Sequence, residues 1–285
     1  MNKVKIIGAA TDLGVDVDGA AKGPIEIIKY LNYDNTTIIN MPKCIKSLDK
    51  EDLKKNINEV NEFNTKLFNE IINTLNNDEL PITLGGDHSL AIASVLGSRK
   101  RNGDIGVIWI DAHLDYNTFD TTITGNLHGL PLAAINGINK DLTQFTNTFV
   151  NPKNTVVVGY RAKEENKEAE LNNIKKMGVT VYTHEDILNN GIEAIMKKAI
   201  KIASTNTNGI HISYDLDVID PTYAPGVSVP EYDGITLDTA YKIKDIIKDN
   251  IDLVKSFDLV EYNPNMDIDN KTLNIALKII NDIKK

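Results

Sequence analysis

The sequence predicts an α/β protein of three layers, α/β/α, around a mostly parallel sheet of about eight strands. Two observations carry this. Short β-branched runs alternate along the whole chain with longer segments of helical period, the pattern of a parallel sheet covered on both faces. The non-helical stretches at 10–23, 114–127 and 217–233 are long for a compact fold, and each adjoins the carboxyl end of a strand, where open α/β sheets place ligands.

In chain order, "KVKIIGA" (3–9) is the first strand, and Pro24 opens a helix over 24–32. "TTIIN" (36–40) precedes a helix over 51–76, and "LPITL" (80–84) one over 88–98. "DIGVIWI" (104–110) leads to a helix at 128–136, and "NTVVVG" (154–159) to one over 164–177 that Gly178 ends. "GVTVYT" (178–183) runs into a helix over 186–203, with Thr183 and Asp186 as its start signal around His184. "GIHISYD" (209–215) precedes a helix over 236–249, and "VKSFDLV" (254–260) one over 268–284. No repeat, linker or low-complexity block divides the chain, so a single domain over 1–285 is expected.

Composition narrows the function. With 41% hydrophobic and 25% charged residues the chain can bury a core. A net charge of −9, with lysines scattered along helices, provides no basic stripe, so nucleic acid is not expected as a partner. No apolar run approaches the roughly 18 to 20 residues that span a bilayer, and the start "MNKVKIIGAATDLG" lacks signal-peptide character. The expectation is a cytoplasmic protein with no membrane contact. The single cysteine, Cys44, has no metal or redox pattern around it.

Three short stretches carry chemistry. Asp111, His113 and Asp115 follow the strand 104–110, and alternation along an extended backbone would point them to one side. Asp215 and Asp217 follow 209–214 with the same alternation, and His88 lies just beyond 80–84. Singly each has a plain structural explanation: Asp87 reads as a helix cap and His211 as a core or supporting residue. Together, four carboxylates and two imidazoles without a thiolate would repel one another unless cations sat among them. Such a set suits a hard divalent ion, manganese first. Two ions sharing carboxylates would lower the pKa of a shared water, so the implied reaction is hydrolysis.

In this order and spacing, "GGDHS", "DAHLD" and "SYDLD" resemble the metal signatures of the ureohydrolase family of arginases and agmatinases, over essentially the whole chain. The resemblance implies an arginase-like fold and two Mn2+ per subunit. One ion would be held by His88, Asp111, Asp115 and Asp215, the other by Asp111, His113, Asp215 and Asp217. "NTFDTTITGNLHGLP" resembles the arginase version of the following segment. That implies Asn117 and Thr124 at a substrate α-carboxylate, Asn126 at the pocket, and His128 as proton shuttle. Glu261 matches the glutamate that pairs with the substrate guanidinium, a planar bidentate fit. The implied activity is hydrolysis of L-arginine to L-ornithine and urea, with Asp115 orienting the attacking hydroxide, in a homo-trimer or homo-hexamer.

Two departures from that pattern bear on substrate. After the fifth strand the family commonly carries "RDxD", its second aspartate near the α-ammonium, where this chain has Ala162 and Glu164. A glycine-threonine-proline triplet is replaced by Ser228, Val229 and Pro230. The alternatives are another ureohydrolase, acting on agmatine, another guanidino acid or formimidoylglutamate, or a non-catalytic metal-binding relative.

Overall fold

The computed structural model describes residues 3–163 and 167–284. Eight strands form one sheet: β1 (Lys3–Ala10), β2 (Thr36–Asn40), β3 (Glu79–Gly85), β4 (Gly106–Ile110), β5 (Thr155–Tyr160), β6 (Thr180–Thr183), β7 (Ile210–Asp215) and β8 (Val254–Val260). Their order is β2-β1-β3-β8-β7-β4-β5-β6, and every ladder is parallel. The helices are α1 (Gly23–Leu31), α2 (Ile57–Asn76), α3 (Ala91–Asn102), α4 (Pro131–Ile135), α5 (Lys167–Met177), α6 (His184–Asn190), α7 (Ile192–Ser204), α8 (Leu237–Asp249) and α9 (Lys271–Ile283).

Side-chain alternation splits the core into two layers. Ile108 and Ile110 of β4 face one way, packed with residues of α1, α7, α8 and α9. Val107 and Trp109 face the other, with residues of α2, α3 and α4. Both faces of the central strands are therefore buried, which is why β4 is uniformly apolar, while β7 buries His211, Ser213 and Asp215 among its apolar residues. The edge strands β2 and β6 are only partly buried.

Several helix boundaries differ from expectation. The segment expected as one helix over 186–203 is two, because Gly191 at φ 79 breaks the ladder between α6 and α7. The helix expected from 51 begins at Ile57, since Asn56 is left-handed at φ 60. Asp269 and Asn270, also left-handed, delay the last helix to Lys271. In 128–136 only Pro131–Ile135 is α-helical, preceded by a 3-10 turn at Leu127–Gly129.

Candidate metal centre

The strands are parallel, so their carboxyl ends meet on one rim, and three neighbours in the middle of the sheet, β8, β7 and β4, end there side by side. The expected convergence is present, but strand alternation does not produce it. β4 stops at Ile110, and residues 111–115 turn sharply. His113 N–H donates to Asp111 Oδ1 at 2.6 Å, and Asp115 is left-handed at φ 50. β7 stops at Asp215, whose Oδ1 accepts from Asp217 N–H at 2.8 Å at the head of a 3-10 turn. The alternation argument therefore fails beyond the last strand residue: an aspartate there bonds its own backbone two residues on, and this turn brings the next ligand round.

His88 Nδ1 lies 3.1 Å from Asp111 Oδ2, 3.1 Å from Asp115 Oδ2 and 3.0 Å from Asp215 Oδ2. His113 Nδ1 lies 3.4 Å from Asp111 Oδ1 and 2.9 Å from Asp217 Oδ2. Two groups of ligand atoms, each within 4.8 Å, result: His88, Asp111 and Asp215, and Asp111, His113 and Asp217. Asp111 belongs to both.

Neighbours orient these ligands. His88 Nε2 is 2.8 Å from Ser213 Oγ, and its ring stacks on Trp109 at 3.9 Å and 6°. Trp109 Nε1–H donates to Asp111 Oδ2 at 2.8 Å, and Ala112 N–H to Asp217 Oδ1 at 3.2 Å. With Nε2 engaged by Ser213, His88 turns Nδ1 toward three carboxylates, buried and without a well-formed hydrogen bond among the described residues. An imidazole lone pair facing three buried acids fits a cation between them.

The electrostatics agree. Burial pushes Asp215 well above the usual carboxylate range, with Asp217 and Asp111 adding repulsion. Asp115 is raised to about 7 by burial and by Asp111. Burial would also raise Asp111, but hydrogen bonds with His113 and His88 overcome it and hold that carboxyl low. Burial opposes protonation of His88, yet its three acid neighbours raise it well above 6.5. Without cations, burial and mutual repulsion favour the protonated forms of Asp115 and Asp215, and the acid neighbours favour that of His88.

Glu261 stands beside the cluster, just past β8, left-handed at φ 66 and 3% exposed. Its Oε1 accepts from His88 N–H at 2.8 Å and lies 3.1 Å from His128 Nδ1. Its Oε2 is buried with no hydrogen-bond partner among the described residues. Burial disfavours the charged form of His128, but the contact with Glu261 outweighs it and raises the ring to about 9. His88, His113, Asp115, His128, Asp215, Asp217, Val229 and Glu261 line a cavity of about 50 Å3. The space is small, since one water's share of liquid volume is about 30 Å3. The larger surface hollows, of about 440 to 500 Å3, contain none of these side chains.

Of the other expected residues, Asn117 is buried, and its Oδ1 accepts from Thr121 Oγ–H at 3.0 Å. Thr124 is exposed, and Asn126 carries a buried amide oxygen without a partner among the described residues. Ala162 is buried against Ala112, whose carbonyl accepts its N–H, and Glu164 lies outside the described residues. Asp87 caps the turn at His88 as expected, accepting from Ser89 N–H at 2.9 Å. His211 is fully buried, 3.1 Å from Asp258 and 2.6 Å from Ser256 Oγ, so it supports the core and takes no part in the ligand set. Sequence reasoning missed Trp109, Ser213 and Glu231, the last 3.7 Å from His113 Nε2. Trp109 and Ser213 share strand parity with Asp111 and Asp215, a signal that was available.

A buried cluster of four carboxylates and two imidazoles at the carboxyl rim of a doubly covered parallel sheet defines a metal-dependent hydrolase. A family profile described as "Arginase family" matches residues 2–284. The chain is 33% identical over 297 residues to an arginase of Bacillus caldovelox, spanning 99% of this chain and 98% of the relative. The native structure of Bacillus caldovelox arginase superposes with a TM-score of 0.90 at 32% identity, covering 100% of this chain and 98% of that one. The structure of Entamoeba histolytica arginase in complex with L-ornithine does so with a TM-score of 0.91 at 29% identity, covering 99% and 98%. The chain belongs to the arginase family.

Proposed function

We propose that this protein hydrolyses L-arginine to L-ornithine and urea, using two Mn2+ ions held by His88, Asp111, His113, Asp115, Asp215 and Asp217. The observation that carries the reading is Glu261, a buried carboxylate with one unpaired oxygen, in the same small cavity as the ligand set. A buried carboxylate with Oε2 open suits a guanidinium, whose N–H groups donate charge-assisted hydrogen bonds to such an oxygen. The bound ions would supply a water of lowered pKa as the nucleophile.

The remaining work falls to the chain. Glu261 orients the guanidinium, and Asp115 holds the attacking water by its carboxylate. Water adds to the guanidinium carbon and passes one proton through Asp115 to the substrate's side-chain nitrogen; the bond to that nitrogen breaks as His128 delivers a second, and the water's remaining proton restores His128. His128 is suited to this because Glu261 keeps its ring protonated at neutral pH. The amino-acid end extends out of the cavity, toward Asn117, Thr124 and Asn126, with Glu164 proposed at the α-ammonium. The Entamoeba arginase structure with L-ornithine, the expected product, supports this choice of substrate.

A second reading, another guanidino or amidine acid, is favoured by Val229, which presents an apolar wall to the cavity. Urea release from manganese-loaded protein, across arginine, agmatine and guanidino acids, with formamide release from formimidoylglutamate, separates the two. Selective arginine turnover is expected; turnover of another substrate alone overturns the assignment. The reading extends to one domain and a cytoplasmic homo-trimer or homo-hexamer. The unbroken sheet from Lys3 to Val260 supports the first, and resemblance supports the oligomer. No described helix is long and apolar enough to cross a membrane.

A further inference from the structure

The connection between β2 and α2, residues 41–56, takes no part in the chemistry above, yet it is fastened to the loop after β1, whose Gly14 carbonyl accepts from His128 N–H, and to the segment that leads into His128. Lys55 is 3% exposed. Its Nζ donates to the Thr124 carbonyl at 2.8 Å and pairs with Asp16 Oδ1 at 2.8 Å. One buried ammonium thus joins the loop after β1 to the segment that carries Asn117, Thr124 and Asn126.

The fastening extends beyond that joint. Lys46 Nζ donates to the carbonyls of Asp12 at 3.3 Å and Val15 at 3.2 Å and pairs with Asp18. Asn56 Nδ2 donates to the Leu13 carbonyl at 3.3 Å. At Gly125, left-handed at φ 68, a Cβ would fall 2.7 Å from the Asp52 carbonyl oxygen and 2.8 Å from Leu53 Cα. Backbone therefore lies on backbone where the connection crosses the segment. Lys54 lies 4.7 Å from the Phe119 ring and 2.6 Å from Asp141.

A lysine is rarely buried this deeply, since removing an ammonium from water is costly unless it is fully paired. Here the pairing is a backbone carbonyl on one loop and a carboxylate on another, so the charge fixes the position of one relative to the other. We infer that Lys55 is a positioning residue for substrate specificity, setting the height of the 117–126 segment over the cavity. This rests on the proposed reading of that segment as the one that meets the amino-acid end of the substrate. Lys55 touches neither the metal ligands nor His128 and Glu261, so its loss acts on recognition of that end and spares the guanidinium chemistry.

The test uses manganese-loaded full-length protein with Lys55→Met, Lys55→Arg and Asp16→Asn, reading kcat and KM for arginine and agmatine, metal content, and amide exchange over 117–129. Lys55→Met is expected to raise the arginine KM about tenfold or more, the scale of a misplaced binding group, with kcat within about threefold. Metal content stays unchanged, the preference for arginine over agmatine narrows, and exchange over 117–129 rises. Lys55→Arg restores most of the KM, and Asp16→Asn shifts it less but in the same direction. Wild-type KM and exchange in Lys55→Met overturn the inference, as does a joint loss of kcat and metal. If Lys55→Met does not fold, an unchanged KM in Asp16→Asn overturns it. If the wild type turns over a different substrate, the substrate assignment fails alone; that substrate takes arginine's place, and exchange still reads the Lys55 joint.

Discussion

Glu261 and Asp115 both occupy the left-handed backbone region, where a residue with a Cβ is strained by about 1 to 3 kcal/mol. Such strain persists only where the surroundings hold it, and here two carboxylates of the proposed mechanism carry it. Glu261→Gln keeps the shape and removes the charge. It is expected to lower kcat/KM for arginine by roughly 100-fold, the scale of breaking a buried charged pair, read from initial rates at saturating manganese. Ser213→Ala leaves His88 Nε2 without its partner. Manganese affinity should fall roughly 10- to 100-fold, measured by competition with a chelator, while the fold survives. Wild-type affinity would show that Trp109 stacking alone orients the ring.

At the scale of elements, β7, β8 and α3 are joined by a buried polar contact below the rim. Asp258 accepts from Ser94 of α3 and meets His211 of β7, and all three side chains are sealed from water. Asp258→Ala strands both partners and should destabilise the metal-loaded protein by about 2 to 5 kcal/mol in a denaturant titration. A loss below about 1 kcal/mol would mean that water enters and replaces the carboxylate. The sequence revealed every strand and most helices, because a doubly buried strand such as "GVIWI" has no other reading beside long amphipathic segments. It did not reveal the break at Gly191 or the late starts at Ile57 and Lys271. There a single left-handed residue decides, and periodicity is blind to backbone handedness. The candidate metal cluster was legible as residue types at strand ends. Its geometry was not, since aspartates bonding their own backbone, and no continued pleat, aim His113 and Asp217.

For the molecule as a whole, the cluster ties stability to pH and metal. Burial opposes protonation of His88, His113 and His128 but is overcome by their acid neighbours, so all three are raised; burial itself raises Asp115, Asp215 and Asp217. Metal-free, the folded chain therefore binds more protons than the unfolded one, and its stability falls as pH rises. The His128 contribution is fully present below about 6.5 and is lost as pH passes about 9; that of Asp115 is lost through about 7. Asp111 is lowered, so its contribution is lost only in acid. Cations displace these protons, so metal binding releases protons and weakens as pH falls. Calorimetry of chelated protein should show Tm falling from pH 6.5 to 9, and manganese should remove most of that slope. A chelated protein whose Tm is flat over this range would refute the protonated cluster.

The place of β8 has a consequence for how the molecule comes into being. The last strand to leave the ribosome is inserted in the middle of the sheet, between β3, which leads to His88, and β7, which leads to Asp215 and Asp217. Until it arrives, those strands have no common neighbour, and the ladder from Ile82 to Phe257 is among the most distant pairings in the chain. Such pairings form slowly, since a long loop must close before any contact repays it. A nascent or prematurely ended product would therefore carry His88, Asp111, His113, Asp115, Asp215 and Asp217 and still lack the strand that sets β3 beside β7, so the candidate cluster belongs to the chain that has completed β8.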